Sequence, residues 1–214
     1  MRVILIAAKE LVLAKTRLGS VMPASERVDL ARAMYRDVLA AALGSRAAGL
    51  VAVVSSDPAL LELAREAGAM PIDEGYARGL NAAVALATSI LAARGASVLC
   101  TVLSDIPMIT AVDIDAVFGA MGQGPGVVLV PSRDFSGTNV IARSPAGVIA
   151  TRFGRQSLAR HLDDCRARAV RCEVLRQARP ALDLDLLGDL YEFVRTASTT
   201  HTLSQLSRLG IAYH

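Results

Sequence analysis

Apolar residues follow two alternating rhythms along this chain. Short, nearly continuous runs rich in Val, Ile and Leu occupy residues 2–8, 50–55, 98–104 and 126–130, and a further strand-like run covers 169–175. Runs of this kind suit strands buried on both faces of a parallel sheet. Between them the apolar positions change to helical spacing. Val28, Ala31, Tyr35, Val38 and Ala42 share one face, with Asp29, Arg32 and Arg36 elsewhere on the turn. Pro58 opens a helix that Gly68 closes, and residues 79–93, 112–121, 157–167 and 186–196 complete the helical set. Residues 132–139 are polar and read as a turn. Strand and helix in alternation predict one α/β domain, a three-layer Rossmann-like fold whose mostly parallel sheet carries helices on both faces. That domain is expected to span 1–197, with the Ser- and Thr-rich residues 198–214 as a loosely attached tail.

Composition narrows the partners more than the fold. With 214 residues, 53% of them hydrophobic, the chain can bury one full core, and two ordinary domains would be cramped. No apolar run approaches the roughly 20 residues of a membrane span, and Lys9 and Glu10 interrupt the N-terminal run too early for a secretory signal. A soluble protein without a membrane partner is expected. Cys100, Cys165 and Cys172 lack metal-ligand spacing and suit a reducing cytoplasm. The net charge of +3 favours anionic ligands, but the basic residues are dispersed and only 4% of residues are aromatic, so no nucleic-acid partner is expected.

The candidate chemistry gathers at strand ends. The strand at 98–104 runs into Ser104-Asp105-Ile106-Pro107, which places Asp105 at the carboxyl edge where ligands of open α/β sheets bind. The competing reading of Asp105 is a turn cap before Pro107. Neither the dinucleotide fingerprint G-x-G-x-x-G nor G-x-x-x-x-G-K-[ST] follows the first strand. That loop instead carries Lys9, Lys15, Thr16 and Arg17, a cluster able to hold a triphosphate through charge-assisted hydrogen bonds. In Leu182-Asp183-Leu184-Asp185, alternation puts both aspartates on one face, and Asp185 stands just before a helix, where it could equally serve as a cap. Asp105 with Asp185 would suit Mg²⁺, with phosphate oxygens and water completing the shell. The turns at 134–139 and 153–157 have the small residues and hydroxyls that suit a phosphate or carboxylate. His161, His201 and His214 lack ligand spacing, and His161 reads as structural.

Seven short motifs in order carry a resemblance. They are Ala-Lys-Thr-Arg-Leu at 14–18, Val-Ser-Ser-Asp at 54–57, Gly-Leu-Asn at 79–81, Ser-Asp-Ile-Pro at 104–107, Gly-Thr-Asn at 137–139, Phe-Gly-x-x-Ser at 153–157 with His161, and Asp-Leu-Asp at 183–185. Together they resemble the phospholactate guanylyltransferase family of coenzyme F-420 biosynthesis. The resemblance implies a nucleotidyltransferase fold, glycosyltransferase-A-like, in which GTP and a small phosphorylated acid react and pyrophosphate leaves. It implies that Asp105 and Asp185 hold Mg²⁺, with Asp183 as second choice, and that Lys15 and Arg17, helped by Lys9 and Thr16, stabilise the triphosphate. Gly79 and Asn81 would lie near the base, while Thr138, Gly154 and Ser157 would bind the acceptor acid. The acceptor could be 2-phospho-L-lactate, phosphoenolpyruvate or 3-phospho-D-glycerate, and the product would pass to the next enzyme of that biosynthesis. Monomer and homodimer stay open. Two departures bear on backbone geometry and not on charge: Ala7 stands where the family commonly has proline, and Leu186-Leu187 where it has Thr-Pro. The competing functions are a nucleotidyltransferase with a sugar-phosphate or pterin acceptor, and a GTP-binding protein without turnover.

Overall fold

A computed structural model describes residues 1–211. Seven strands form one sheet: β1 (Arg2–Ala7), β2 (Leu50–Ser55), β3 (Met70–Asp73), β4 (Val98–Leu103), β5 (Gly126–Pro131), β6 (Thr138–Ser144) and β7 (Arg171–Val174). Their order is β3-β2-β1-β4-β6-β5-β7. β1 pairs in parallel with β2 and β4, β2 with β3, and β5 with β7; only β6 runs against its neighbours, β4 and β5. The expected, mostly parallel sheet is present.

Strand alternation divides the core between two faces. Ile4 and Ile6 of β1 face one side and Val3 and Leu5 the other. The first side is covered by α1 (Ala24–Leu43), α2 (Pro58–Glu66), α4 (Ala111–Ala120), α7 (Leu187–Thr196) and α8 (His201–Arg208), the second by α3 (Leu80–Ala93) and α5 (Ser157–Ala167). A short helix, α6 (Ala178–Ala181), precedes α7. No helix among the described residues is long and apolar enough to cross a membrane.

Two expectations need correction. The turn expected over 132–139 ends at Gly137, and Thr138 starts β6, a full strand that the sequence reading lacked. Arg143 interrupts its apolar pattern; in the structure that guanidinium is buried and donates to the Ile149 carbonyl at 2.9 Å and to Thr88 Oγ1 at 3.0 Å. The loosely attached tail is also overturned across residues 201–208. Thr202 and Leu206 of α8 are fully buried, and Asp37 of α1 accepts the main-chain N–H groups of His201 and Thr202, each at 2.8 Å. The Ser and Thr content concealed an amphipathic helix with a carboxylate waiting at its first turn. The last three positions of the tail, His214 among them, lie outside the described residues.

Candidate active site

β1 and β4 are neighbours in the sheet, and the loops that leave their carboxyl ends line one crevice. After β1 the chain makes two short 3₁₀ turns, Leu11–Leu13 and Thr16–Leu18. Lys15, between them, has left-handed backbone with φ of 53°. Such a conformation costs a non-glycine residue on the order of 1–3 kcal/mol and persists only where surrounding contacts enforce it. Here they do. Lys15 Nζ lies 2.9 Å from Asp105 Oδ2 and 2.9 Å from Asp185 Oδ1, with its side chain only 4% exposed. Arg17, far more exposed, reaches Asp185 Oδ2 at 3.2 Å. Asp57 anchors the loop from below: Oδ2 accepts the Leu11 N–H at 3.0 Å while Oδ1 caps α2. This gives the Val-Ser-Ser-Asp motif a positioning role.

The acidic segment is held just as firmly. Leu182 and Leu184 enter the core and leave Asp183 and Asp185 on the opposite face, as the alternation predicts. The Leu184 N–H donates to the Asp105 carbonyl at 3.2 Å. Arg179 of α6 grips Asp113 of α4 with two hydrogen bonds of 2.8 and 2.7 Å, and Asn139 of β6 donates to the carbonyls of Pro180 and Ala181. Asp189 accepts the N–H groups of both Asp185 and Leu186, so a carboxylate one turn into α7 does the capping at the Leu-Leu departure. Asp185 is therefore an ion-pairing residue and not the cap of α7.

Charge follows from this arrangement. Burial pulls the Lys15 pKa down, but Asp105 and Asp185 together outweigh it and hold the ammonium above its ordinary value. Burial pushes Asp185 up, yet Lys15, Arg17 and Lys9 bring it below the usual carboxylate range. Asp183 has no such neighbour: burial, then repulsion from Asp105 and Asp185, raises it. Lys15 and Arg17 engage Asp105 Oδ2 and both Asp185 oxygens. Asp105 Oδ1 remains buried without a hydrogen-bond partner. An anionic oxygen in that position is costly unless a cation takes it. With Asp183 beside it, this donor set fits a hard, oxygen-seeking divalent ion that draws its other ligands from phosphate and water. Among the described residues, no three His, Cys, Asp or Glu side chains form a complete metal cluster by themselves.

The crevice has two lobes joined along Lys9, Arg17, Leu103, Asp105 and Asp185. The first, about 290 Å³, is walled by Lys15, Thr16, Tyr35 and Ser104. The second, about 640 Å³, is walled by Thr138, Gly154, Ser157 and Asp183, the three expected acceptor residues among them. A third, mostly apolar recess of about 220 Å³ includes Leu13, Ala77, Gly79 and Leu80, with Glu10 and Glu74 at its edge. Lys9 borders all three. Asn81 is spoken for: its amide donates to the Phe153 carbonyl at 3.0 Å and accepts the Phe153 N–H at 2.8 Å, clamping the 153–157 turn to α3. In the second lobe, the Gly137 N–H donates to Ser132 Oγ at 2.8 Å, and Ser132 and Ser136 both donate to Asp134, which holds that carboxyl down at about 2. Gly154, with φ of 110°, then leads into α5, whose N-terminus adds a partial positive charge.

Sequence reasoning missed Asn139, Arg179, Asp189, Glu74, and the cations Arg133 and Arg155 on the second lobe. Asn139 was visible within Gly-Thr-Asn, and Asp189 as a third acidic residue four positions after Asp185. Glu74 follows a four-residue edge strand too short to stand out.

The fold is shared with a solved structure from Desulfovibrio desulfuricans G20, described as a nucleotide-diphospho-sugar transferase. The two share 20% identity, cover 99% and 96% of the respective chains, and superpose with a TM-score of 0.80. The fold is that of the nucleotidyltransferases. More specifically, the family described as "Guanylyl transferase CofC like" matches residues 1–214, and the chain belongs to it. It is an enzyme, a guanylyltransferase. Among its relatives are a phosphoenolpyruvate guanylyltransferase of Rubrobacter xylanophilus, 39% identical over 86% of this chain and 89% of the relative, and a 3-phospho-D-glycerate guanylyltransferase of Phenylobacterium zucineum, 35% identical over 92% and 91%. A 2-phospho-L-lactate guanylyltransferase of Methanothermobacter thermautotrophicus is 32% identical over 92% and 85%.

Proposed function

We propose that the chain transfers GMP from GTP to the phosphate of a phosphorylated three-carbon acid, in the reaction class of its relatives. An oxygen of the acid's phosphate bonds to the α-phosphorus of GTP, the bond from that phosphorus to the bridging oxygen of the β-phosphate breaks, and pyrophosphate leaves with the electron pair. Such a transfer needs alignment and neutralisation of charge more than a nucleophilic side chain. One observation carries the reading: Asp105 and Asp185, both paired to Lys15 of the first lobe, stand at the seam where the two lobes meet.

In this reading Lys15, Thr16 and Arg17 hold the triphosphate in the first lobe, with Lys9 at the junction of the two lobes. Guanine enters the apolar recess over Gly79, where no side chain obstructs, and Glu74 with Glu10 offers carboxylate oxygens to the N1–H and amino donors of that base. Thr138, Gly154 and Ser157 bind the acid in the second lobe beside the α5 N-terminus. A Mg²⁺ ion held by Asp105, with Asp183 in preference to the already paired Asp185, would supply neutralisation of the reacting phosphates. The residues on that side keep their own order: Lys15 stays protonated, and Asp185 fixes it in place. The product would pass to the next biosynthetic enzyme, and the site of action would be the cytoplasm.

The test offers GTP and Mg²⁺ with phosphoenolpyruvate, 2-phospho-L-lactate and 3-phospho-D-glycerate separately, and follows pyrophosphate. Release that depends on one of the acids is the expected result and names the acceptor. GTP binding without release from any of the three would overturn the reading.

A further inference from the structure

His161 is a fully buried, hydrogen-bonded group that the transfer reaction as described leaves without a role. Its surroundings fix more than its position. Nε2 lies 2.8 Å from the main-chain nitrogen of Arg152, and a main-chain N–H can only donate, so Nε2 must accept. Burial, reinforced by Arg143 and Arg152, brings the imidazole pKa down to about 4, so the ring is neutral at neutral pH and carries its single proton on Nδ1. Nδ1 lies 3.0 Å from Thr138 Oγ1. With Nδ1–H donating into that oxygen, the Thr138 hydroxyl keeps its own hydrogen for another acceptor. Among the described residues no protein group takes it. The Phe153 ring, edge-on to the imidazole with centroids 5.7 Å apart, holds the plane of the ring.

We propose that His161 is a positioning residue: by donating from Nδ1 to Thr138 Oγ1, it turns the threonine hydroxyl into an obligate donor to an anionic oxygen of the acceptor acid. A free hydroxyl can rotate to donate or accept and must be ordered when ligand binds. Here the Arg152 N–H, the imidazole and the threonine form a one-way chain from the 152–157 turn into the second lobe, so both walls of that lobe are ordered before the acid arrives. The inference rests on the proposed acceptor lobe and adds the direction of one hydrogen bond within it.

Two substitutions separate the ends of the ring. His161→Asn sets an amide nitrogen where Nδ1 was and keeps the donor to Thr138. His161→Gln sets an amide oxygen where Nε2 was, keeps the acceptor for Arg152 and loses the donor. The expected result is that H161Q raises KM for the active acid by roughly 10-fold, the size of one lost hydrogen bond to a charged group. H161N recovers most of that loss, and KM for GTP and kcat move by less than about threefold in both. In a Thr138→Val background, H161Q adds nothing further to KM. Equal damage from Asn and Gln, an additive effect in the valine background, or a parallel rise in KM for GTP would each overturn the proposal. Nitrogen-15 NMR of the imidazole reads the same point without turnover. Protonated Nδ1 and unprotonated Nε2 support the proposal, and the opposite tautomer sinks it. If no acid supports pyrophosphate release, the acceptor reading fails while the tautomer measurement still decides the hydrogen-bond direction.

Discussion

In the proposed function the two lobes of the cleft hold their anions by different means. The first relies on full charges: a buried ammonium clasped by two carboxylates, with a guanidinium and a second lysine at its rim. The second adds hydroxyls, glycine turns and a helix N-terminus to the Lys9, Arg17, Asp105 and Asp185 that it shares with the first, and Asp134 is held by its own serines. A triphosphate brings several negative charges and must be released as pyrophosphate, which suits strong, screened charges on long side chains. A three-carbon acid differs from its near relatives by one or two atoms, and fixed donors of short reach discriminate shape better than a mobile ammonium does. In that proposal charge serves the first lobe, and geometry serves the second.

The sharpest way to break this division is at the seam. Asp105→Asn removes a carboxylate that, alone among the carboxylates of the described residues, has a buried unpartnered oxygen, and leaves Lys15 paired to Asp185. Turnover is expected to fall by roughly 10²–10³-fold, the cost of removing one preorganised electrostatic group, with little change in melting temperature. The measurement is steady-state pyrophosphate release at saturating Mg²⁺ beside a thermal unfolding curve. Full turnover in the variant would show that Asp105 only shapes the turn before Pro107.

A second prediction concerns the interior behind the second lobe. The His161 pKa sits near 4 in the fold, because burial and the neighbouring Arg143 and Arg152 oppose protonation more than Asp164 favours it. In the unfolded chain it returns to about 6.5. The neutral ring therefore contributes stability that is fully present above pH 6.5 and is lost as pH falls through 4. The loss is on the order of 2–3 kcal/mol by pH 4. Urea unfolding of wild type and His161→Asn between pH 7 and 4 should show the wild type losing stability faster by that amount. Parallel curves would mean that the ring accepts a proton in place.

Much of this was legible in the sequence, for physical reasons that differ by region. The Val-, Ile- and Leu-rich runs of β1, β2, β4 and β5 read correctly because both faces of those strands are buried. Asp105 and the loop of Lys15 could be placed at the carboxyl edge because each follows a buried strand, whereas Asp185 joined them through its pairing with Asp105 in the resemblance. β6 escaped because Arg143 breaks its pattern while satisfying its charge internally. The clamps Asn139, Arg179 and Asp189 escaped because each acts on backbone or carboxylates that only the folded chain brings near. Asn81 was read as near the base because its motif was recognised, whereas its amide is consumed by Phe153.

The nucleotide side can be sharpened at its base recess. Glu74 sits at the edge of an apolar recess, where burial raises its pKa, Glu10 and Asp73 add to the rise, and Arg78 opposes it. If its carboxylate accepts from guanine, Glu74→Gln should lower kcat/KM for GTP by about 10-fold, as expected for one charge-assisted hydrogen bond. Inosine triphosphate, which lacks the exocyclic amine, should lose less, so the preference for GTP over it narrows. An unchanged preference would place guanine recognition elsewhere.

The smallest expected effect tests whether geometry alone governs the second lobe. A methyl group at Gly137 would lie 2.9 Å from Ser132 Oγ, which already accepts the Gly137 N–H and donates to Asp134. Gly137→Ala changes no charge. Something in the 132–137 turn must shift, and Thr138, the next residue along, shifts with it. Overpacking of this kind costs about 1–3 kcal/mol, but the turn is at the surface and can relax. KM for the acid is therefore expected to rise by only a few fold while KM for GTP stays fixed. Since the substitution alters neither lobe's charge, a rise confined to the acid would show that the acceptor side depends on where its neutral donors stand. Equal changes in both constants would mean that the lobes share one framework and that the division between charge and geometry does not hold.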